Sequence, residues 1–258
     1  MKNIDRRQWL KTAGLSGSFT LLGGLGAVAM ELPSTRFSKD LHIAKLNSNE
    51  NPFGPSTKVR AAITRSFDIA CRYPSIVYKP LIDQIAEKEG VSADHIVLTG
   101  GSTEGLKAAG LTYGSNGQEI IAPDPTFQSM LSYGEHHGGY VHRVPVDANM
   151  DHDLEEMAGR INSKTGLIFI CNPNNPTGTL IEKNRLKDFC NSTSKNVMVF
   201  SDEAYYDFIT EAEYPSMVEL VKEGKNVIVS KTFSKVFGMA GMRIGYLVAR
   251  PDIADRLK

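Results

Sequence analysis

Lys235 is the residue whose surroundings most favour chemistry. It lies in a small-residue loop that joins two apolar, β-branched runs, residues 227–229 and 246–249, and Phe233 and Phe237 flank it. Apolar neighbours disfavour the ammonium form of a lysine and make its amine nucleophilic. The same loop carries hydroxyls and a guanidinium, which are groups that bind anions. From these residues alone, an ordinary surface lysine in a glycine-rich loop is the alternative interpretation.

Three other polar segments directly follow predicted strands. Asp202 follows one strand, the Asn/Pro-rich residues 172–178 follow a second, and Gly100 and Gly101 form a turn between a third strand and a helix. A glycine turn before a helix binds anions through free backbone N–H groups and the helix dipole. Each segment also has a structural interpretation, with Asp202 as a turn or helix cap and residues 172–178 as a double turn.

Strands and helices alternate along the chain, and this alternation decides the fold class. It predicts right-handed β-α-β units and a mainly parallel, buried sheet that binds ligands at the carboxyl ends of its strands. The predicted strands are 96–99, 119–122, 140–146, 166–171, 197–200, 227–230 and 246–249. The predicted helices are 56–70, 80–90, one from 103, one ending at 137, then 151–161, 182–191, 217–223 and one begun by residue 252.

Four short motifs occur in a set order along the chain. They read Asn-Glu-Asn-Pro-Phe-Gly-Pro (49–55), Asn-Pro-Asn-Asn-Pro-Thr-Gly (172–178), Asp-Glu-Ala-Tyr (202–205) and Thr-Phe-Ser-Lys (232–235). Together they resemble the class I/II, pyridoxal-phosphate-dependent aminotransferases, and most of all the histidinol-phosphate aminotransferase branch. The resemblance implies the three-layer αβα major domain of the aspartate aminotransferase type. It also implies a smaller C-terminal domain that is missing here, so we expect the chain to be a fragment or truncated.

The resemblance gives each matching residue a role toward pyridoxal 5'-phosphate. Lys235 is expected to hold the cofactor as a Schiff base and to shuttle the substrate's α-proton, and Asp202 to keep the pyridine nitrogen protonated. Asn175 and Tyr205 are expected to hydrogen-bond the ring hydroxyl, and Phe127 to stack on the ring. The expected phosphate ligands are Ser102, Ser234, Arg243 and the backbone of Gly101. Thr103 and Thr232 are expected to contact the cofactor, and Thr103 stands where the family usually has Asp or Asn. By residue type alone, Phe127 is equally a core residue and Tyr205 a packing residue.

Tyr73 carries the prediction about assembly. Arg72-Tyr73-Pro74 resembles the family segment whose tyrosine reaches the cofactor phosphate of the neighbouring subunit, so we expect a homodimer with shared sites. By itself a Tyr-Pro pair is a turn signal. With 29 basic and 29 acidic residues the formal net charge is zero, which favours neither nucleic acid nor an anionic membrane as a partner.

The N-terminus is predicted to be a twin-arginine export signal. Arg6 and Arg7 precede an aromatic residue, a Leu and a Lys, and a weakly apolar, glycine-rich run follows to residue 29. A general secretory signal or an uncleaved anchor facing the periplasm are the alternatives, although the glycines make the run a poor membrane span. The predicted organisation is therefore a signal over 1–29, an arm and helix over 30–72, and the cofactor-binding domain over 73–258, in an exported, periplasmic protein.

The motifs favour an aminotransferase that moves an amino group between an amino acid or amino-alcohol phosphate and a 2-oxo acid. Histidinol phosphate and 2-oxoglutarate are one expected substrate pair. Alternatives on the same scaffold are a decarboxylase or lyase, for example of threonine phosphate, and an inactive, truncated cofactor-binding fragment. A cofactor-binding regulator is disfavoured because no helix-turn-helix precedes residue 47. The three cysteines fit no metal or redox spacing, and we expect ordinary buried thiols.

Overall fold

The computed structural model describes residues 45–258. The predicted signal and residues 30–44 of the predicted arm lie outside the described part. The chain divides into two units, residues 1–47 and 48–258. Of the first unit only residues 45–47 are described, and they are exposed. All the elements below belong to the second unit, and none of the helices within residues 45–258 is long and apolar enough to cross a membrane.

Strands and helices alternate as the sequence predicts. The strands are β1 (Ile96–Thr99), β2 (Glu119–Asp124), β3 (Tyr140–Pro145), β4 (Thr165–Cys171), β5 (Met198–Asp202), β6 (Val227–Thr232) and β7 (Gly245–Ala249). The α-helices are α1 (Thr57–Arg65), α2 (Ser75–Glu89), α3 (Ser102–Tyr113), α4 (Ser129–His136), α5 (Leu154–Gly159), α6 (Lys183–Thr193), α7 (Val218–Lys222) and α8 (Pro251–Leu257). Short 3₁₀ helices occupy Ser66–Ile69, Ala93–His95, Tyr206–Phe208 and Ala240–Met242.

The strands form one sheet in the order β1-β7-β6-β5-β4-β2-β3. Pairs from β3 to β6 are parallel, and β7 runs antiparallel to both of its neighbours, β1 and β6. The carboxyl ends of the parallel strands therefore lie at one edge, and β7 begins at that same edge.

Helices cover both faces of the sheet. Helices α2, α5, α6 and α7 pack on one face, where Val199 and Val229 point, and α3, α4 and α8 pack on the other, where Phe200 and Ile228 point. Alternate residues of one strand thus enter different hydrophobic cores, which explains why these strands are apolar almost throughout. The three-layer αβα prediction is confirmed.

Two details differ from the expectations. Helix α2 begins at Ser75 and contains Pro80, whereas the sequence placed the start at the proline. Pro80 is the sixth residue of the helix, so its missing N–H removes one backbone hydrogen bond. The preceding turn is nevertheless helical, and the Pro74 carbonyl accepts from the N–H groups of Val77 and Tyr78 at 2.9 and 3.1 Å. Cys171 and Cys190 are buried, but Cys71 is exposed, so the expectation of a buried thiol is wrong there.

Candidate functional site

The predicted site residues gather at the carboxyl edge of the sheet. Nine of them line one cavity of about 280 Å³: Ser102, Thr103, Phe127, Asn175, Asp202, Tyr205, Ser234, Lys235 and Arg243. They come from the carboxyl ends of β1, β2, β4, β5 and β6 or from the residues that follow these strands, and Arg243 lies in the segment that joins β6 to β7. Parallel strands bring their carboxyl ends together, so residues far apart in sequence share one site.

Three predicted residues lie outside the lining. Gly101 lies beneath the guanidinium of Arg243, so it borders the site through its backbone. Thr232 is buried and its hydroxyl donates to Ser234 Oγ at 2.9 Å, so it orients a lining residue. Tyr73 is 92% exposed and does not reach this chain's cavity. Its expected contact is with a second subunit, which stays a prediction.

Asp202 is the buried acid of the site. It ends β5, pairs in register with Ser230 of β6 and is only 2% exposed. Its Oδ1 atom is buried without a hydrogen-bond partner among the described residues. Burial raises the pKa of Asp202 to about 7, although the backbone N–H of Ala204 and, more weakly, nearby Lys235 oppose this. A buried, unpartnered carboxylate oxygen at a cavity wall is suited to a cationic N–H group of a ligand.

Lys235 is half-buried, and its amine has two neighbours. Nζ donates to the Asn49 backbone oxygen at 2.8 Å and lies 5.3 Å from the centre of the Tyr205 ring. Phe233 and Phe237, expected to desolvate it, instead pack on each other with ring centres 5.4 Å apart and line a separate apolar groove. That part of the expectation is wrong: β6 ends at Thr232, so the side-chain alternation of the strand no longer orients the residues after it.

The anion-binding end of the cavity is built from backbone and one guanidinium. Gly101 has φ +80° and directly precedes Ser102, the first residue of α3. Free N–H groups of the first turn and the helix dipole favour an anion at this point. Arg243, itself in the left-handed region with φ +55°, is anchored by bonds to the Gly100 and Ala240 carbonyls at 3.1 and 2.9 Å. A Cβ at residue 101 would approach Cζ of Arg243 to 2.9 Å, so any larger residue would have to displace the guanidinium.

The Asn/Pro-rich loop holds itself in place with two asparagines and offers the third to the cavity. Asn172 is buried, accepts from the Ile181 N–H at 3.0 Å and donates to the Tyr214 hydroxyl at 2.7 Å. Asn174 accepts from the Thr126 hydroxyl at 2.9 Å. Asn175 lines the cavity. The motif is thus both a structural turn and a source of one site residue.

The cavity also contains residues that the motifs did not predict as site residues. Asn49 contributes its carbonyl to Lys235 and its amide, at 2.9 Å, to the Tyr205 hydroxyl. Its place in the Asn-Glu-Asn-Pro motif was the available signal. Cys171 also lines the cavity, and burial raises the pKa of its thiol far above the usual range. Nothing in the spacing of the cysteines indicated that position.

A second charged cluster is buried on the face of the sheet that α2, α5, α6 and α7 cover. Lys231 Nζ lies 2.9 Å from Glu89 Oε2 and 3.6 Å from Glu203 Oε2, and the Tyr246 hydroxyl donates to Glu89 at 2.7 Å. Glu203 also accepts from the Met217 N–H at 2.8 Å. Burial raises the pKa of Glu203, and the Lys231 ammonium opposes this. The cluster satisfies its own charges and lies apart from the cavity.

These features fit pyridoxal 5'-phosphate. The cavity joins a primary amine, an anion-binding helix start with an arginine, and a carboxylate oxygen that lacks a partner among the described residues. Within residues 45–258 no cluster of His, Cys, Asp and Glu could hold a metal ion. Fold and site together define an α/β protein of the pyridoxal-phosphate type.

Comparison with known proteins gives the family. The family model for aminotransferase class I and II matches residues 42–258, and the chain belongs to this family. Histidinol-phosphate aminotransferase from Moorella thermoacetica is 41% identical over 212 residues, which are 82% of this chain and 55% of that protein. The chain therefore spans little more than half the length of that relative.

Two solved aminotransferase structures superpose on this chain. Histidinol-phosphate aminotransferase from Sinorhizobium meliloti, in complex with pyridoxal 5'-phosphate, superposes with a TM-score of 0.75 at 26% identity, over 81% of this chain and 56% of that one. Aspartate aminotransferase from Thermus thermophilus superposes with a TM-score of 0.73 at 23% identity, over 81% and 57% of the two chains. The latter likeness shows the fold alone, which is the aspartate aminotransferase type expected from the sequence.

Proposed function

We propose that this protein binds pyridoxal 5'-phosphate at Lys235 and is an aminotransferase. The observation that carries the proposal is one cavity that brings together the Lys235 amine, the Arg243 guanidinium and an Asp202 carboxyl oxygen that has no hydrogen-bond partner among residues 45–258. When bound, the cofactor supplies an electron sink for bonds at the substrate's α-carbon. The histidinol-phosphate aminotransferase relatives support histidinol phosphate as the amino donor. The acceptor proposed with it is 2-oxoglutarate, as expected from the resemblance.

The chain's own residues have distinct tasks in this proposal. Asp202 holds a proton on the ring nitrogen, where its burial strengthens the charge-assisted bond. Lys235 would hold the cofactor through its amine, and the same amine would move the proton at the substrate's α-carbon. Tyr205 and Asn175 hydrogen-bond the ring oxygen, and Phe127 packs on the ring face. Arg243, Ser234 and the start of α3 hold the phosphate.

The alternative of a decarboxylase or lyase is not favoured, because the 41%-identical relative is an aminotransferase. The cofactor contacts would be the same in both, so the reaction must be measured. We expect amino transfer from histidinol phosphate to 2-oxoglutarate without release of carbon dioxide. Release of carbon dioxide from an amino-acid phosphate would decide for the alternative.

Attachment of the cofactor has a direct test. Pyridoxal 5'-phosphate should give the protein a visible absorption band, and borohydride should fix the cofactor to Lys235 in peptide mass mapping. Lys235→Arg keeps the charge but lacks the primary amine, and serves as the control without a band. A label on Lys231, which is buried between two carboxylates, would contradict the assignment.

We also propose that the protein is a homodimer. Apolar side chains are exposed along residues 67–78, including Phe67 at 71%, Tyr73 at 92% and Ile76 at 70%. Large apolar side chains in such a run are suited to a protein interface. A second copy placed there by a two-fold axis would use the same patch twice, and Tyr73 of each would enter the other's site.

Export through the twin-arginine route is a proposal that rests on the N-terminal sequence alone. Replacing both Arg6 and Arg7 by Lys keeps the charge and the apolar run. A twin-arginine signal should then fail and leave precursor in the cytoplasm, whereas a general secretory signal should still work. Unchanged export of the double variant would decide against the twin-arginine route.

A further inference from the structure

Asn49 touches two residues of the site from a distant part of the chain. Its amide Nδ2 donates to the Tyr205 hydroxyl at 2.9 Å, and its backbone oxygen accepts from Lys235 Nζ at 2.8 Å. The partners lie 156 and 186 residues away in sequence, and Asn49 itself lines the cavity. Asn49, in the loop before α1, thus connects the loop after β5 with the loop after β6.

The chemistry of the Asn49–Tyr205 bond fixes its direction. An amide NH₂ group only donates, so the Tyr205 oxygen must accept and its one proton is left for another partner. Among residues 45–258 no hydrogen bond takes that proton, and Tyr205 lines the cavity. The proton is therefore available to an acceptor inside the cavity. A hydroxyl that accepts one hydrogen bond also donates the next one more strongly.

We propose that Asn49 is a positioning residue that makes Tyr205 a hydrogen-bond donor to the ring oxygen of the cofactor. The inference rests on the proposed function, because it needs the cofactor at Lys235. Asn49 acts only through Tyr205 in this respect. Its contact with Lys235 uses a backbone oxygen, which side-chain substitutions at residue 49 retain.

The same loop provides a matched control. Asn51 Nδ2 donates to the Val236 oxygen at 2.9 Å, so it also fastens the loop to the segment after β6. Asn51 contacts neither Tyr205 nor the cavity. If Asn49 merely held the loop in place, the loss of either side chain would have the same effect.

The test is a pH titration of the visible absorption of the cofactor-loaded full chain. A ring oxygen that loses a hydrogen-bond donor attracts the proton on the neighbouring nitrogen more strongly. The pH midpoint of the absorption change should therefore rise. We expect Asn49→Ala to raise it by about 0.5 unit, and Tyr205→Phe by up to about one unit, the equivalent of one hydrogen bond. Asn49→Asp, which accepts the proton of Tyr205 and adds negative charge, should raise it further than Asn49→Ala. Asn51→Ala should leave it in place.

The decisive measurement is the double variant. In the Tyr205→Phe background Asn49→Ala should add no further shift, because its route of action is gone. An unchanged midpoint in Asn49→Ala, an equal shift in Asn51→Ala, or a full additional shift in the double variant each overturns the inference while leaving the proposed function intact. A wild-type chain that binds no cofactor at Lys235 overturns the proposed function, and this inference with it. Asn49 is exposed, so its substitution does not endanger folding.

Discussion

Asp202→Asn tests the buried acid by its effect on stability as well as on catalysis. The change keeps the size and shape of the side chain and removes its ability to ionise. Burial raises the pKa of Asp202 to about 7 from 3.8. Full ionisation of this carboxyl therefore costs the cofactor-free fold about 4 kcal/mol.

The sign of the pH dependence follows from the direction of the shift. A folded-state pKa above the unfolded value means that the folded protein binds more protons between the two values. The contribution of Asp202 to the free energy of unfolding is fully present below pH 3.8 and is lost as the pH rises through about 7. Between about pH 5 and about pH 8 the wild type should lose roughly 2–3 kcal/mol that Asp202→Asn does not lose.

Urea unfolding of both cofactor-free proteins at the two pH values measures this difference. Adding pyridoxal 5'-phosphate should stabilise the wild type more than Asp202→Asn, because only the carboxylate forms a charge-assisted bond to the ring nitrogen. In turnover, kcat should fall with substrate affinity little changed. Parallel pH dependence of the two proteins, or an unaltered kcat, would refute the role given to Asp202.

Three further predictions follow from the geometry. Lys231→Met should lower the free energy of unfolding by about 3–5 kcal/mol, because it leaves two buried carboxylates without their cation. Urea unfolding of the cofactor-free protein measures this loss, and a loss below about 1 kcal/mol would contradict the prediction. Gly101→Ala should raise the dissociation constant of the cofactor about tenfold, because the added Cβ displaces the guanidinium of Arg243. Equilibrium dialysis measures this constant. Gly159→Ala is the control, because the space around Gly159 is open. Mixing inactive Tyr73→Ala with inactive Lys235→Ala should restore about a quarter of wild-type activity if subunits share sites; a mixture that stays inactive after proven subunit exchange would place Tyr73 in its own subunit's site.

The sequence predicted the parts of the site that depend on strand order. Asp202 ends a parallel strand, and Asn175 and Lys235 follow two others. Parallel strands end at one edge, so the meeting of these residues could be expected from the alternation of elements alone. Which atoms meet could not be expected in this way. The contact of Asn49 with Tyr205 spans 156 residues and depends on the path of an irregular loop, for which no periodicity exists.

Side-chain orientation was predictable within strands and not beyond them. The apolar runs of β5 and β6 indicated burial on both faces, and the two cores confirm it. Phe233 lies just past the end of β6, and its side chain faces the apolar groove instead of the amine of Lys235. The cluster around Lys231 was missed because its carboxylates come from α2 and from the residue after β5, and only the tertiary fold brings these together.

The two buried charge groups are linked through the adjacent residues Asp202 and Glu203. Asp202 lines the cavity and Glu203 joins the buried cluster around Lys231. Burial is the main cause that raises the pKa of Asp202, and the Glu203 carboxylate adds a smaller effect in the same direction. Lys231, 3.6 Å from Glu203, offsets that negative charge. Removing the cation should raise the pKa of Glu203 further, because the Lys231 ammonium opposes the effect of burial there. A Lys231→Met protein that remains folded should therefore lose stability with rising pH through Glu203 as well as through Asp202. A pH dependence identical to that of the wild type would mean that Lys231 does not set the charge of Glu203.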